Sequence, residues 1–219
     1  MISARRIADG IGLAFDLARK KPGWEERRDL SAEAVFASFW ALPLMIPGHL
    51  LAAMVGRQLL VDTPFAEAAN LSPAVTVITQ TVTLLLGFGL QLFVLTRLAR
   101  RRGAGWRISP LIIAFNWAAF AFRTLLGLLM GLSVLIGVPA LIELGTLIVF
   151  GLIIWVRWGI VRETLQTTPM ATIGTLVLLV VVSLLAGLVA SAIFSVLGLL
   201  PEPVAVEAIE VPSEPEAQL

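Results

Sequence analysis

The chain has 219 residues, of which 58% are hydrophobic and only 14% are charged. Soluble domains carry about 25% charged residues, so this composition excludes an ordinary soluble domain and predicts a polytopic membrane protein. The absence of cysteine excludes disulfides, thiolate metal sites and cysteine nucleophiles. The single histidine, His49, argues against a histidine-rich metal or haem site.

The N-terminal arm, residues 1–30, is predicted to begin with an amphipathic helix from Ile2 to Lys20. Apolar residues recur on one face at helical spacing: Ile7, Ile11, Ala14, Phe15 and Ala18. The opposite face carries Arg5, Asp9, Gly12, Asp16 and Arg19. We expect this helix to lie at the membrane interface, where its basic residues favour the lipids of an anionic inner leaflet.

Five transmembrane helices are predicted after the arm, at about 31–56, 73–98, 109–132, 139–162 and 169–200. Ser31 is the predicted N-cap of the first. Three others start with a capping residue followed by proline: Ser72-Pro73, Ser109-Pro110 and Thr168-Pro169. The fold class is therefore all-α, a polytopic helical bundle preceded by an interfacial helix. The segment 201–219 has five glutamates, four prolines and no basic residue, which is typical of a disordered acidic tail.

The first predicted span contains Pro43 and Pro47, four residues apart. Each proline removes a backbone hydrogen bond from the preceding turn, so we expect a kinked helix. His49 lies beyond the second proline, where packing is a commoner role for a histidine than ligand binding or titration.

The second span carries a stripe of polar and small residues at spacings of three and four: Thr76, Gln80, Thr83, Gly87 and Gln91. Such a stripe faces protein or water rather than lipid. Interhelical hydrogen bonding is the common role of these residue types. Lining a polar pathway is the alternative.

The third and fourth spans hold the two ionisable residues that lie deepest in apolar sequence, Arg123 and Glu143. A charge at the bilayer centre costs roughly 2.5–3.5 kcal/mol, and a mutual pair would remove most of that cost. We therefore expect an Arg123–Glu143 ion pair, with a structural role favoured over a coupling or proton-relay role. The spacing of Gly127 and Gly131 predicts a close helix contact.

The fifth span repeats small residues every four positions: Ser183, Gly187, Ser191 and Ser195, with Ala186 and Ala190 beside them. This pattern predicts a helix-packing face. It does not distinguish packing within the chain from packing against a partner.

Basic residues predict the orientation in the membrane. Seven lie in the arm, five in the segment 97–107 and two, Arg157 and Arg162, near the end of the fourth span, which places 14 of 16 on one side. The positive-inside rule then puts the N-terminus in the cytoplasm and the C-terminus in the periplasm. The arginine-rich, lysine-poor usage suggests a bacterial inner membrane.

No motif for enzymatic chemistry is present. The sequence has no GxGxxG, Walker A, HExxH or acidic metal cluster. We therefore expect no enzyme activity, no cofactor and no metal. The arginine cluster 97–107 lies too close to two spans to suggest nucleic acid and is interpreted as a topology determinant.

The layout over roughly residues 20–200, a cytoplasmic arm followed by five closely spaced spans with no large loop, resembles the Yip1-type family of small membrane proteins in topology. The entry into the first span at Asp29-Leu30-Ser31 is similar to that of small proteobacterial membrane proteins. Eukaryotic members of the Yip1-type family are linked to membrane traffic and organisation, so the resemblance implies a role of that kind. It assigns no functional residue.

Two functional hypotheses follow. The first is a non-enzymatic inner-membrane protein that acts through interaction, as an accessory subunit or membrane organiser, with a protein partner or as a homo-oligomer. The second is a small permease or channel that uses the Thr76 to Gln91 stripe and the Arg123/Glu143 pair.

Overall fold

The computed structural model describes residues 3–59, 71–138 and 140–199. These residues form helices and turns, with no strand among them, which confirms the all-α prediction. The helices are α1 (Ala4–Ala18), α2 (Trp24–Arg27), α3 (Ala32–Ser38), α4 (Ala41–Leu59), α5 (Pro73–Arg101), α6 (Ile108–Ile136), α7 (Ala140–Leu165) and α8 (Pro169–Val196). The predicted acidic tail, 201–219, lies outside the described residues.

Five segments are long and apolar enough to cross a membrane, so the described part of the chain is that of a multi-pass membrane protein. The first consists of α3 and α4 together, Ala32–Leu59. The others are α5, α6 with a preceding 3-10 turn, α7 and α8. The end of the bundle where α5 ends and α6 begins holds the arginines of 97–107, and we call it the arginine-rich end.

The predicted helix caps are confirmed at three of four positions. The side chains of Ser31, Ser72 and Thr168 each accept a hydrogen bond from a backbone N–H three residues ahead. At the fourth, Ser109, the structure differs. The helix starts one residue earlier, at Ile108, directly after a 3-10 turn at Gly105–Arg107, and Arg107 occupies the cap position. Pro110 fits in the first turn because N–H groups there need no intrahelical acceptor.

The first span is interrupted by a turn at residues 39–40, just before Pro43. α3 ends at Ser38, and α4 begins at Ala41. Pro43 cannot donate to the Phe39 carbonyl, which accepts instead from the N–H of Leu42 at 3.0 Å. Pro47 lies inside α4, which continues through it.

α6 is the central helix of the bundle, in contact with α1, α3, α4 and α7. Its C-terminus turns at Gly137, whose left-handed backbone (φ 74°) few other residues adopt. The N–H groups of Gly137 and Val138 both bond to the Ser133 carbonyl and close the helix. The turn therefore falls between the predicted third and fourth spans, 109–132 and 139–162. However, α6 continues to Ile136 rather than ending near 132.

The apolar face of α1 packs against protein, while the position of this helix at the membrane interface stays a prediction. α1 contacts α6 and α7, and Leu13, Ala14 and Leu17 are almost fully buried there. Arg28 holds the following linker against the helix by a 2.7 Å ion pair with Asp16. The residues of the predicted face pack there too, Ala14 and Ala18 buried and Ile7, Ile11 and Phe15 partly buried, but the prediction left out Leu13 and Leu17 at the centre of the contact.

The fifth span packs mainly against α5, with a smaller contact to α7. Its buried positions are Thr172, Thr175, Leu179, Ala186, Ala190 and Phe194. Ser183 and Gly187 border this face, whereas Ser191 and Ser195 are exposed. The predicted packing face exists, but it is rotated by one residue toward the two alanines.

Candidate functional site

A cavity of about 250 Å³ lies among the five spans. A cavity needs a volume of only roughly 15 Å³ to hold one water molecule, so this cavity has room for a small ligand. Every span contributes to its wall: His49 from α4; Gln80, Thr83, Leu84, Gly87, Phe88 and Gln91 from α5; Arg123 from α6; Arg157 from α7; and Ser183 from α8. We call it the polar cavity.

A close crossing of α4 and α6 positions His49 beside Arg123. A Cβ atom added to Gly127 would lie 2.1 Å from the Gly48 carbonyl oxygen, so the two backbones touch at this pair of glycines. The predicted close contact at Gly127 is thereby confirmed, with α4 as the partner. His49 follows Gly48 directly, and its Nδ1 lies 3.3 Å from Arg123 Nη1.

The contact with Arg123 determines the protonation of His49. A guanidinium has no acceptor, so Nδ1 must accept and the ring proton belongs on Nε2. The Nε2 atom is buried and makes no hydrogen bond of good geometry among the described residues, although the ring interacts with the backbone of Gln80. His49 is thus an uncharged acceptor next to a cationic group.

The second arginine of the cavity, Arg157, was assigned by sequence reasoning to the interfacial belt. It lies eight residues before the end of α7 at Leu165, or about 12 Å along the helix. Its guanidinium carbon is 5.1 Å from the centre of the Phe115 ring. The apolar residues Gly159 to Val161 follow Arg157 in the sequence. They indicate that the span continues past this arginine and that its side chain lies within the bundle rather than at the interface.

The polar stripe of α5 splits between two roles. Gln80, Thr83, Gly87 and Gln91 line the polar cavity, as the pathway interpretation requires. Gln91 also donates to the Ser183 hydroxyl and, at 3.2 Å, to the Leu179 carbonyl, which joins α5 to α8. Thr76 lies outside the cavity wall and donates to the Ser72 carbonyl of its own helix at 3.1 Å.

The predicted Arg123–Glu143 ion pair is absent. Both residues are described, and no ion pair in the described parts of the chain joins them. Glu143 is exposed in the first turn of α7. Arg123 is directed toward α4 and α5 instead, because the glycine crossing brings α4 against this face of α6. Their depths also differ: Arg123 lies 13 residues before the end of α6, whereas Glu143 lies only three residues after the start of α7, a difference of about 15 Å along the helices.

The charges around the polar cavity are all of one sign. Its wall has two guanidinium groups, and no carboxylate is among the described residues that line it. Neither Arg123 nor Arg157 has an acidic partner within ion-pair distance in the described parts of the chain. The glutamine, threonine, serine and histidine side chains add hydrogen-bond donors. Such a wall favours an anion over a cation.

Comparisons of the chain with models of protein families, with curated proteins and with solved structures find no match. The layout-based resemblance to the Yip1-type family therefore stays a prediction, and function must be argued from the cavity itself.

Proposed function

We propose that this protein binds a small oxyanion in the polar cavity and acts as an anion permease or carrier in the bacterial inner membrane. The observation that supports the proposal is the convergence of Arg123 and Arg157, with donors from all five spans and no acid, on one space inside the bundle. Rings of arginine or lysine are a common means of selecting anions and phosphates in membrane pores.

The energetic argument favours a ligand over simple packing. A guanidinium near the bilayer centre costs roughly 2.5–3.5 kcal/mol on insertion scales, and this chain has two around one cavity. A buried charge without a partner is strongly destabilising, and a bound anion would offset that cost for both arginines together. Arginine also matches the oxygen geometry of phosphate and carboxylate groups better than lysine does.

The accessory-subunit hypothesis has less support than at the sequence level. It depended on the interfacial helix and on the small-residue face of the fifth span. α1 packs against α6 and α7, and Ala186 with Ala190 lies in the face toward α5, so only Ser191 and Ser195 of the small-residue face stay exposed. A protein partner or a homo-oligomer remains a separate expectation that the proposed activity does not need.

Binding is tested with the full chain in a neutral detergent, using radiolabelled inorganic phosphate and sulfate in equilibrium dialysis. We expect one saturable site per chain. Arg123→Gln and Arg157→Gln should each weaken binding by at least about tenfold, because a lost charged hydrogen bond is worth about 1.5–3 kcal/mol. The matched control is Arg162→Gln, on the same helix as Arg157 but outside the cavity wall.

Two results would overturn the proposal: no saturable anion binding by the wild-type protein, or equal binding by the wild type and both cavity variants. Transport is measured separately as phosphate flux from proteoliposomes. Saturable binding without flux above that of protein-free vesicles would reject the permease part and leave an anion-binding membrane protein.

A further inference from the structure

A second cavity of about 250 Å³ lies between α6 and α7. Seven of its nine lining residues are apolar: Phe115, Ala118, Ala119, Phe122, Leu126, Phe150 and Ile153. The other two are Arg123 and Arg157, the same arginines that line the polar cavity. We call this space the apolar cavity.

The two cavities meet at one boundary. Phe88 lines the polar cavity and Phe115 the apolar one, and their rings pack with centroids 5.3 Å apart. Arg157 lies over the Phe115 ring, so its charge is at this boundary. The arginine pair therefore faces donor-rich space on one side and hydrocarbon-like space on the other.

The apolar cavity has a route to the lipid-facing surface. Phe150, in its wall, is 59% exposed on α7, whereas Phe122 on α6 is buried. An exposed phenylalanine on a transmembrane helix faces lipid tails. A hydrocarbon chain could thus enter between α6 and α7 without crossing the polar part of the bundle.

We propose that the physiological ligand is an anionic amphiphile with a single alkyl or acyl chain, its headgroup bound between Arg123 and Arg157 and its chain in the apolar cavity. This inference depends on the proposed anion site, since the same two arginines would hold the headgroup. It adds a substrate class: a lipid-derived phosphate or carboxylate rather than a free inorganic anion. A free anion would use the arginines and leave the apolar cavity without a role.

The test compares inorganic phosphate, butyl phosphate, octyl phosphate and octanol on the full chain in a neutral detergent. Native mass spectrometry counts ligands on the protein itself, and each affinity is referred to the free ligand concentration measured in the presence of the same micelles without protein, because the longer chains partition into micelles. Each fully buried methylene strengthens binding about fourfold. We expect octyl phosphate to bind at least about tenfold more tightly than butyl phosphate, and octanol to bind weakly because it lacks the charge.

A variant that fills the apolar cavity gives an independent test. Ala119→Phe should remove the advantage of octyl over butyl phosphate and leave the binding of inorganic phosphate unchanged. The matched control is Ala192→Phe, which adds the same side chain at an exposed position of α8 outside both cavities. The chain-length series on the wild-type protein decides the question even if Ala119→Phe does not fold.

The outcomes separate the two proposals. Equal affinities along the phosphate series, with loss of binding in Arg157→Gln, would overturn the amphiphile and retain the anion site. Octanol binding as tightly as octyl phosphate would overturn the amphiphile, and no arginine-dependent binding of any ligand would overturn both. Tight octyl phosphate binding that the control keeps and Ala119→Phe loses would support both.

Discussion

Arg123 and Arg157 are the residues that set the chemistry of the bundle. Arg123 lies 15 residues from the start of the 29-residue helix α6, close to its middle. A cation at that depth is tolerated when polar groups or water surround it. Here His49 accepts from Arg123, and Gln80, Gln91 and Ser183 line the same space. Their dipoles lower the cost of the charges and still leave room for an anion.

Arg107 has a structural role at the arginine-rich end. Its side chain donates to the Glu163 carbonyl at the end of α7 and lies 3.0 Å from a Glu25 carboxylate oxygen on α2. It also stacks on Trp106, with its guanidinium carbon 4.3 Å from the ring centre. The whole arginine cluster, Arg107 included, was interpreted only as a topology determinant. The structure shows that Arg107 also joins the arm to the end of α7.

We predict that Arg107→Ala lowers stability by about 1–3 kcal/mol, because it removes a charged hydrogen bond and the packing of the stem. The melting temperature of the detergent-solubilised protein measures the effect. Arg101→Ala, at an exposed position nearby, serves as the control and should change little. An equal loss in both variants would show that the arginine-rich end responds to total charge rather than to these contacts.

At the scale of helices, the crossing of α4 and α6 builds the site. Gly48 and Gly127 bring the two backbones into contact, and the residue after Gly48 reaches Arg123 as a result. Without a strong hydrophobic force between helices in lipid, such close backbone contact is a main source of association. The same crossing explains why Arg123 meets His49.

We predict that Gly127→Ala disrupts this crossing, since the new Cβ would lie 2.1 Å from the Gly48 carbonyl oxygen and neither backbone can yield locally. The melting temperature should fall by several degrees, and anion binding should weaken as His49 moves away from Arg123. Gly151→Ala is the matched control on α7, where the added Cβ meets nothing within 4 Å. It should be neutral or slightly stabilising, as alanine is the better helix former by about 1 kcal/mol.

If Gly127→Ala retains the wild-type melting temperature and binding, the α4–α6 contact does not set the geometry of the cavity. A loss of stability in Gly151→Ala equal to that of Gly127→Ala would instead show a general intolerance of glycine substitution in these helices.

At the scale of the whole molecule, the fold brings together basic segments that are far apart in sequence. The arm contacts α6 and α7, and Arg107 beside α6 contacts both Glu25 in the arm and the end of α7. The arginine-rich end is therefore one continuous surface. An anionic leaflet on that side would attract it by about 1 kcal/mol per basic residue near the surface.

We predict that this surface faces the cytoplasm. A fluorescent protein that folds only in the cytoplasm should be active when fused to the N-terminus, and alkaline phosphatase should be active when fused to the C-terminus. Replacing Arg100, Arg101 and Arg102 by glutamine should produce a minority of molecules with mixed orientation, because the charge bias is weaker. The opposite pattern of reporter activities in the wild-type protein would reject the assignment.

The sequence by itself determined the class of protein, the number of spans and most helix starts. Long apolar segments can satisfy their backbone groups in lipid only as helices, and the Ser-Pro and Thr-Pro starts are local signals. Those features depend on neighbours within a few residues. The polar stripe of α5 and the close contact at Gly127 were also visible, because helical spacing alone places such residues on one face.

Only the tertiary structure decided what each face meets. Arg123 and Glu143 do not meet because the turn at Gly137 leaves Arg123 in the middle of α6 and Glu143 in the first turn of α7. The rotation of each helix about its own axis places the packing face of α8 on Ala186 and Ala190, brings Arg157 into the cavity and buries Leu13 of α1 against protein. Helix rotation and pairing are set by contacts between distant segments, such as Gly48 against Gly127, and no local pattern in the sequence encodes them.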